Sequence, residues 1–190
     1  MQQQNYKIVI SGPVGAGKTT AIAALSDVAP VVTDARPSDE VAKLKSGTTV
    51  AMDYGMIDLG TAAVHLYGTP GQERFDFMWD IMLEGALGLI LLINNRHADP
   101  LGDLRRFLDA YASFIATMPF CVGVTHMDMR PRPPLAAYHE ALERRGYPTV
   151  PVFSVDGRSR QDMNLLLMAM LGMIEPAIVA DTLQDARGTH

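Results

Sequence analysis

The stretch Gly12-Pro13-Val14-Gly15-Ala16-Gly17-Lys18-Thr19 decides the fold, because it satisfies the pattern GxxxxGK[ST] at every required position. Residues 6–11 before it are apolar enough for a buried strand, and residues 20–28 continue as a helix rich in Ala, Leu and Ile. Glycines let the backbone curl so that successive N–H groups point at an anionic phosphate, and the start of the helix adds a favourable dipole. The pattern and its context predict a phosphate-binding loop; the alternative is a chance glycine turn between a strand and a helix.

Two side chains of the loop carry the expected chemistry. Lys18 is expected to reach the β- and γ-phosphates of a nucleoside triphosphate, and the Thr19 hydroxyl is expected to ligate Mg²⁺. The predicted nucleotide-binding residues of this segment are Gly12, Val14, Gly15, Ala16, Gly17, Lys18, Thr19 and Thr20.

Composition favours one soluble domain over residues 1–190. The formal net charge is −5 and no dense basic run occurs, so nucleic acid is not an expected partner. Cys121 lies in an apolar stretch, which indicates a core residue and agrees with a reducing, cytoplasmic location. The longest apolar run, 85–93, is too short to span a membrane, and we expect no signal peptide and no lipid anchor.

Hydrophobic patterning predicts alternating strands and helices. Strands are expected near 6–11, 50–56, 62–68, 87–94, 119–125 and 149–154, and helices near 18–28, 76–85, 101–117, 134–145 and 160–174. This order predicts an α/β fold with a mostly parallel six-stranded sheet, helices on both faces, and a ligand at the carboxyl ends of the strands. Segment 29–49 has no clean periodicity and is predicted to be a long mobile loop, which in a compact domain is usually functional.

Two more segments narrow the class: Thr49-Val50-Ala51-Met52-Asp53-Tyr54 and Gly68-Thr69-Pro70-Gly71-Gln72. Together with the phosphate loop they resemble the Ras-like small GTPases, whose switch I ends in sequences such as TIGVDF and whose switch II begins DxxGQ. The chain is most similar to the small bacterial GTPases that accompany roadblock-domain proteins, which carry TVAMD and GTPGQ segments, and more distantly to the MglA polarity GTPases. The resemblance covers about residues 6–174.

The resemblance implies a Ras-like P-loop NTPase fold, binding of GTP and GDP with Mg²⁺, and slow hydrolysis of GTP. Thr49 would ligate Mg²⁺ only in the triphosphate state, the Gly71 N–H would donate to the γ-phosphate, and Gln72 would orient the attacking water. Lys18, Thr49 and Gln72 are therefore the implied catalytic residues. The alternatives are that Thr49 only opens a strand and that Gln72 is an exposed loop amide.

The chain departs from the family pattern at several positions. Gly68 stands where the family has an aspartate that holds Mg²⁺ through water, and the sequence leaves open whether Asp53 or Asp34 substitutes for it. Val14 replaces the glycine of Ras and would crowd the γ-phosphate, which implies slow intrinsic hydrolysis. Among loop arginines, Arg36 and Arg74 are either arginine fingers or solvated charges.

The base-recognition motif NKxD corresponds to Thr125-His126-Met127-Asp128. The resemblance implies that Asp128 accepts hydrogen bonds from guanine N1–H and N2–H₂, which discriminates strongly between bases. With Thr125 and His126 replacing Asn and Lys, the bracing and stacking roles stay open. Residues Ser154 to Arg158 fall where the family has SAK, so the Gly157 N–H is expected near guanine O6, with Asp156 and Arg158 beside it.

The last helix is expected to be apolar nearly all round. Its inward stripe is Met163, Leu166, Leu167, Met170, Leu171 and Ile174, and its outer face carries Leu165, Met168, Ala169 and Met173. Either residues 175–190 fold back on that face, or it binds a partner or a second copy of the chain.

The expected function is a GTP-binding switch that signals through segments 29–55 and 68–80 to a roadblock-type regulatory protein, an activating protein or an effector. Asp53, Tyr54, Phe75 and Trp79 are either contacts made in one nucleotide state or ordinary packing residues. Two other functions stay open. One is a nucleotide-binding scaffold with little hydrolysis, and the other is a P-loop ATPase or small-molecule kinase.

Overall fold

The computed structural model describes residues 4–29, 31–35, 50–70 and 81–174. The strands are β1 (Gln4–Ser11), β2 (Val31–Ala35), β3 (Val50–Asp58), β4 (Ala62–Gly68), β5 (Gly88–Asn94), β6 (Phe120–Thr125) and β7 (Val152–Val155). The helices are α1 (Lys18–Leu25), α2 (Pro100–Ala110), α3 (Ala112–Ile115), α4 (Leu135–Glu143) and α5 (Arg160–Ile174).

One sheet joins all these strands in the order β2-β3-β4-β1-β5-β6-β7. The neighbouring strands β4, β1, β5, β6 and β7 run parallel to one another. Strand β3 is antiparallel to β4, and β2 is antiparallel to β3. Parallel neighbours need crossover connections, and the helices supply them. The predicted α/β class with a mostly parallel sheet is therefore confirmed. The described sheet has seven strands, because β2 adds an edge strand to the six that the sequence predicts.

Helices cover both faces of the sheet. Every residue of β5 and β6 is buried, which is why these strands read as continuous apolar runs instead of alternating ones. On one face, α1 and α5 pack against the sheet around Ile22 and Leu166. On the other face, α2, α3 and α4 pack around Phe107 and Tyr138. Cys121 lies in the first of these cores, fully buried, and burial raises the pKa of its thiol to about 12.

Two elements differ from the sequence prediction. Strand β2 lies inside segment 29–49, which was predicted to be a loop, and it pairs with β3 at the edge of the sheet. The helix predicted over 101–117 is two helices that meet at Tyr111, which leaves helical geometry while its hydroxyl lies 2.6 Å from Ser11 Oγ. Of the helix predicted near 76–85, residues 81–83 are helical and 76–80 lie outside the described residues.

The described helices are all too short or too polar to cross a membrane. In α5 the predicted inward stripe is buried from Met163 to Leu171, and Ile174 is partly buried. Leu165 and Met173 are exposed on the outer face. Residues 175–190 lie outside the described residues. Coverage of this face by those residues, by a partner or by a second copy of the chain therefore stays a prediction.

Candidate functional site

The site begins with the loop between β1 and α1. Gly12, Gly15 and Gly17 adopt φ values of 143°, 73° and 90°, a region that side chains with a Cβ rarely enter. At Gly12 a Cβ would lie 2.0 Å from the carbonyl oxygen of Leu92 in β5. The loop therefore packs its backbone directly against the central strand, and glycine at position 12 is a steric requirement.

Lys18 lies across this loop. Its Nζ donates to the carbonyl oxygens of Gly12 at 2.8 Å and Pro13 at 2.9 Å, and the residue is only 8% exposed. Burial lowers the pKa of Lys18 to about 8, and the nearby Asp53 carboxylate acts in the opposite direction. An anionic phosphate held by the loop would offset the cost of burying this ammonium group, so the arrangement suits an anionic ligand.

Thr19 is joined to β3. Its hydroxyl donates to Oδ2 of Asp53 at 2.6 Å. Asp53 is the direct cross-strand neighbour of Gly68, the position at which the Ras-like GTPases that the sequence resembles carry an aspartate. Of the two carboxylates that the sequence left open, the structure thus brings Asp53 to the start of α1. Asp34 lies in the edge strand β2, on the far side of β3.

The phosphate loop is hydrogen-bonded to the carboxyl ends of β5 and β6. The buried Thr125 hydroxyl lies 3.2 Å from the carbonyl oxygen of Ala16, to which it can donate, and the Asn94 side-chain amide donates to the carbonyl oxygen of Gly15 at 2.9 Å. Thr125 therefore braces the phosphate loop, a role that the sequence had left open because Ras-like GTPases have asparagine at this position. The sequence analysis did not identify Asn94 as a site residue. A polar residue at the carboxyl end of an apolar parallel strand could have indicated it, because ligands bind at this edge of the sheet.

The segment after β6 is fixed to the segment after β5. The Asn95 side-chain amide donates to the carbonyl oxygen of Arg130 at 2.5 Å, and the Arg130 guanidinium donates to the carbonyl oxygen of Arg96 at 3.1 Å. His126 has a φ of 61°, and its Nδ1 lies 3.0 Å from the Thr125 hydroxyl. Asp128 lies in this braced segment and is exposed.

The loop after β7 completes the site. Gly157 is buried, and a Cβ added to it would lie 3.4 Å from the carbonyl oxygen of Gly17, which places this loop against the start of α1. Asp156 and Arg158 form an ion pair of 2.8 Å, and hydrogen bonds from Arg158 lower the pKa of Asp156 to about 2. Asp128 also acts electrostatically on Arg158. The loops that follow β1, β6 and β7 thus meet at the carboxyl edge of the sheet.

The remaining predicted site residues fall into two groups. Val14 is 57% exposed at the tip of the phosphate loop, and Thr20 is exposed in the first turn of α1. Thr49, Gly71 and Gln72 lie outside the described residues, as do Arg36, Arg74, Phe75 and Trp79. The roles assigned to this second group stay predictions.

A mostly parallel sheet covered by helices, a glycine loop after the first strand, and Lys18 and Thr19 at the start of the next helix define a P-loop nucleotide-binding protein. The chain belongs to the family described as conserved hypothetical ATP binding protein, whose model matches residues 10–148. The predicted nucleotide-binding class and its P-loop are confirmed by this match. The finer resemblance to Ras-like and roadblock-associated GTPases stays a prediction.

One relative is an uncharacterized protein of Methanocaldococcus jannaschii. It is 34% identical over 87 residues, which is 45% of this chain and 49% of the relative. The match therefore spans about half the length of that protein, and it supports a shared ancestry of this part of the chain.

Proposed function

We propose that the protein is a GTP-binding switch that hydrolyses GTP slowly with Mg²⁺ and signals to a protein partner. The observation that carries this proposal is the contact between Thr125 and the carbonyl oxygen of Ala16, at 3.2 Å. It holds segment 125–128 beside the phosphate loop, so that a nucleotide bound by Lys18 would present its base to this segment. The segment corresponds to the guanine-reading motif of the resemblance.

The chemistry of segment 125–128 favours guanine. Asp128 is exposed in a loop that Asn95 and Arg130 brace, and a carboxylate accepts hydrogen bonds from both N1–H and N2–H₂ of guanine. Adenine has an unprotonated N1 and no amino group at position 2, so the same carboxylate would face an acceptor. The N–H of Gly157, in the loop after β7 that packs against the start of α1, is the proposed donor to guanine O6.

A second candidate is an ATP-binding protein that uses the same loop. The family description favours it. The replacement of the usual Asn and Lys by Thr125 and His126 also weakens the guanine motif. In this case Lys18 and Thr19 keep their phosphate and metal roles, and Asp128 has no part in base choice.

The deciding experiment is a competition titration of GTP, ATP and XTP against the parent protein and Asp128→Asn. We expect the parent to prefer GTP and the variant to shift toward XTP, because xanthine offers an acceptor where guanine has a donor. A site built on buried hydrogen bonds discriminates by roughly 10⁴, and we expect less here because Asp128 is exposed.

Glu143→Gln, an exposed charge loss in α4, is the matched control and should leave all three affinities unchanged. Equal affinity of the parent for GTP and ATP would remove guanine specificity. A preference for ATP that Asp128→Asn leaves unchanged would establish the second candidate.

The signalling part of the proposal rests on the segments around Thr49 and Gln72. Segments 29–55 and 68–80 are the proposed surface for a roadblock-type regulatory protein, an activating protein or an effector. Val14 supports slow hydrolysis, since its exposed side chain stands at the tip of the loop next to the expected γ-phosphate position. Slow basal turnover leaves room for a partner that accelerates it.

A further inference from the structure

Asn95 is a fully buried polar residue directly after β5. Its backbone N–H donates to the carbonyl oxygen of Thr125 at 3.0 Å. Its side-chain amide donates to the carbonyl oxygen of Arg130 at 2.5 Å and to that of Pro133 at 3.4 Å. Asp128 lies between these contacts in the chain, so one buried residue holds the backbone on both sides of the carboxylate that is proposed to contact the base.

Tyr138 fixes the orientation of the Asn95 amide. A carbonyl oxygen only accepts hydrogen bonds, so the NH₂ end of the amide has to face Arg130, and the oxygen end needs another partner. That oxygen, Oδ1, accepts a hydrogen bond from the Tyr138 hydroxyl at 2.5 Å. Burial raises the pKa of Tyr138, and the charge of Asp103 adds to the rise, so the hydroxyl keeps its proton and acts as the donor.

This contact connects the turn that carries Asp128 to the core of the molecule. Tyr138 lies in α4 and is fully buried in the core that α2, α3 and α4 form with the sheet. The Arg130 N–H donates to the carbonyl oxygen of His126 at 3.1 Å, which closes the turn. A buried polar network whose members are all satisfied favours one arrangement, because the alternatives leave a buried group unpaired. The hydrogen bonds that start at Tyr138 therefore set where this turn lies.

We infer that Tyr138 is a positioning residue for nucleobase recognition, which acts through Asn95 to hold Asp128 where the base is read. Its hydroxyl is bonded to Asn95 inside the core, so its effect on a ligand is indirect. The inference rests on the proposed function, since it requires the segment after β6 to contact the base of a bound nucleotide. The competing explanation is that the hydrogen bond between Tyr138 and Asn95 only stabilises the fold.

The test separates the base from the phosphates. Tyr138→Phe keeps the aromatic ring and removes the hydroxyl, which leaves Oδ1 of Asn95 without this donor. Asn95→Ala removes the amide, and the double variant shows whether Tyr138 acts through Asn95. Tyr147→Phe is the matched control, because it removes the same group from a tyrosine packed against the same core. The Tyr147 ring contacts Phe120, the first residue of β6, edge-on with 5.3 Å between ring centroids, and the control keeps this contact.

Calorimetric titrations with the Mg²⁺ complexes of GTP, ATP and inorganic tripolyphosphate supply the affinities. Tripolyphosphate offers the phosphate loop a chain of three phosphates and carries no base. We expect Tyr138→Phe to weaken binding of the preferred nucleotide by about tenfold, the order of effect of a buried acceptor left unpaired, and to leave the affinity for tripolyphosphate unchanged. The double variant should bind nucleotide no more weakly than Asn95→Ala, because the two side chains act as one unit. Tyr147→Phe should match the parent with all three ligands.

Amide hydrogen exchange of the protein without ligand gives a second readout, which does not depend on Asn95→Ala folding. Tyr138→Phe should exchange faster than the parent in segment 126–134, and the phosphate loop, residues 12–19, should exchange as in the parent. Equal acceleration in both segments would show a general loss of stability and would overturn the inference.

Unchanged nucleotide affinity in Tyr138→Phe also overturns the inference, and so does an equal loss of affinity for tripolyphosphate. A double variant clearly weaker than Asn95→Ala would show that Tyr138 acts by another route. A parent protein that binds GTP and ATP no more tightly than tripolyphosphate gains nothing from the base, which refutes the positioning role directly. Failure of the proposed function looks different: if the parent prefers ATP, and Tyr138→Phe weakens ATP but not tripolyphosphate, the guanine proposal fails and the positioning role stands.

Discussion

At the scale of single residues, the phosphate loop is constrained most tightly at Gly12. A methyl group there would lie 2.0 Å from the Leu92 carbonyl oxygen, and the φ of 143° is itself unfavourable for alanine. We therefore expect Gly12→Ala to displace the loop and to abolish detectable nucleotide binding in a calorimetric titration. The displacement should also lower the thermal unfolding midpoint.

Gly60→Ala is the matched control for this prediction. Gly60 also has a positive φ, 75°, but an added Cβ meets nothing within 4 Å. Its cost should be limited to backbone strain of about 1 kcal/mol, with nucleotide affinity intact. Equal binding by Gly12→Ala and Gly60→Ala would mean that the loop geometry is not what holds the nucleotide.

A second residue-scale prediction concerns hydrolysis. Gln72→Leu should lower the single-turnover rate of phosphate release with little change in affinity, because a group that orients water acts mainly in the transition state. Val14→Gly should raise that rate by relieving crowding at the γ-phosphate. Unchanged rates in both variants would remove these residues from the mechanism, and no hydrolysis in any variant would favour the nucleotide-binding scaffold.

Site residues within the phosphate-loop motif could be predicted from the sequence. Residues on other strands that contact this loop could not. Lys18 and Thr19 follow from the motif alone, because the loop and the first turn of α1 are one continuous stretch. Asp53 reaches Thr19 through the β3–β4 register, and Asn94 reaches Gly15 through the order of strands in the sheet. Neither the register nor the strand order can be read from a local pattern, so Asp53 remained one of two alternatives and Asn94 was overlooked.

At the scale of elements, Thr125 couples β6 to the phosphate loop. Thr125→Val keeps the shape of the side chain and removes the hydroxyl that lies 3.2 Å from the carbonyl oxygens of Ala16 and Ile93. Loss of a donor to buried carbonyls costs about 1–3 kcal/mol. We expect nucleotide release to be faster by about tenfold and the free energy of unfolding to fall within that range.

Thr125→Ser retains the hydroxyl and should behave like the parent in both measurements. Stopped-flow release of a fluorescent nucleotide and urea denaturation supply the two numbers. If the valine and serine variants release nucleotide at the same rate, the bond to the phosphate loop has no part in retention. A loss of stability without faster release would assign Thr125 a purely structural role through Ile93.

The elements themselves were predictable where their signal is strong. The continuous apolar run of β5 and the stripe of α5 gave correct positions, because burial on both faces and a 3.6-residue period leave clear patterns. The edge strand β2 was not predicted. It has five residues and, among the described strands, pairs only with β3, so its strand conformation depends on this partner more than on its own sequence.

At the scale of the whole molecule, the carboxyl edge of the sheet gathers every described part of the site. The loops after β1, β6 and β7 meet there, and Asp53 connects this edge to β3. Strand β3 begins at Val50, directly after Thr49, and β4 ends at Gly68, shortly before Gln72. The two segments proposed as switches therefore adjoin the strand pair in which Asp53 lies opposite Gly68. One domain over residues 1–190 stays a prediction.

This arrangement predicts which segments change conformation when GDP is replaced by GTP. The bond from Thr49 to Mg²⁺ would exist only with a γ-phosphate, and ordering of such segments is how this fold turns a bound nucleotide into a change of shape. Amide hydrogen exchange should therefore differ between GDP and a non-hydrolysable GTP analogue in segments 29–55 and 68–80. The central strands β5 and β6, buried throughout, serve as the internal control and should exchange equally slowly in both states. Differences confined to α5 would instead show that the chain is no nucleotide-gated switch of this kind. They would favour a partner-binding role for the outer face of α5, where Leu165 and Met173 are exposed.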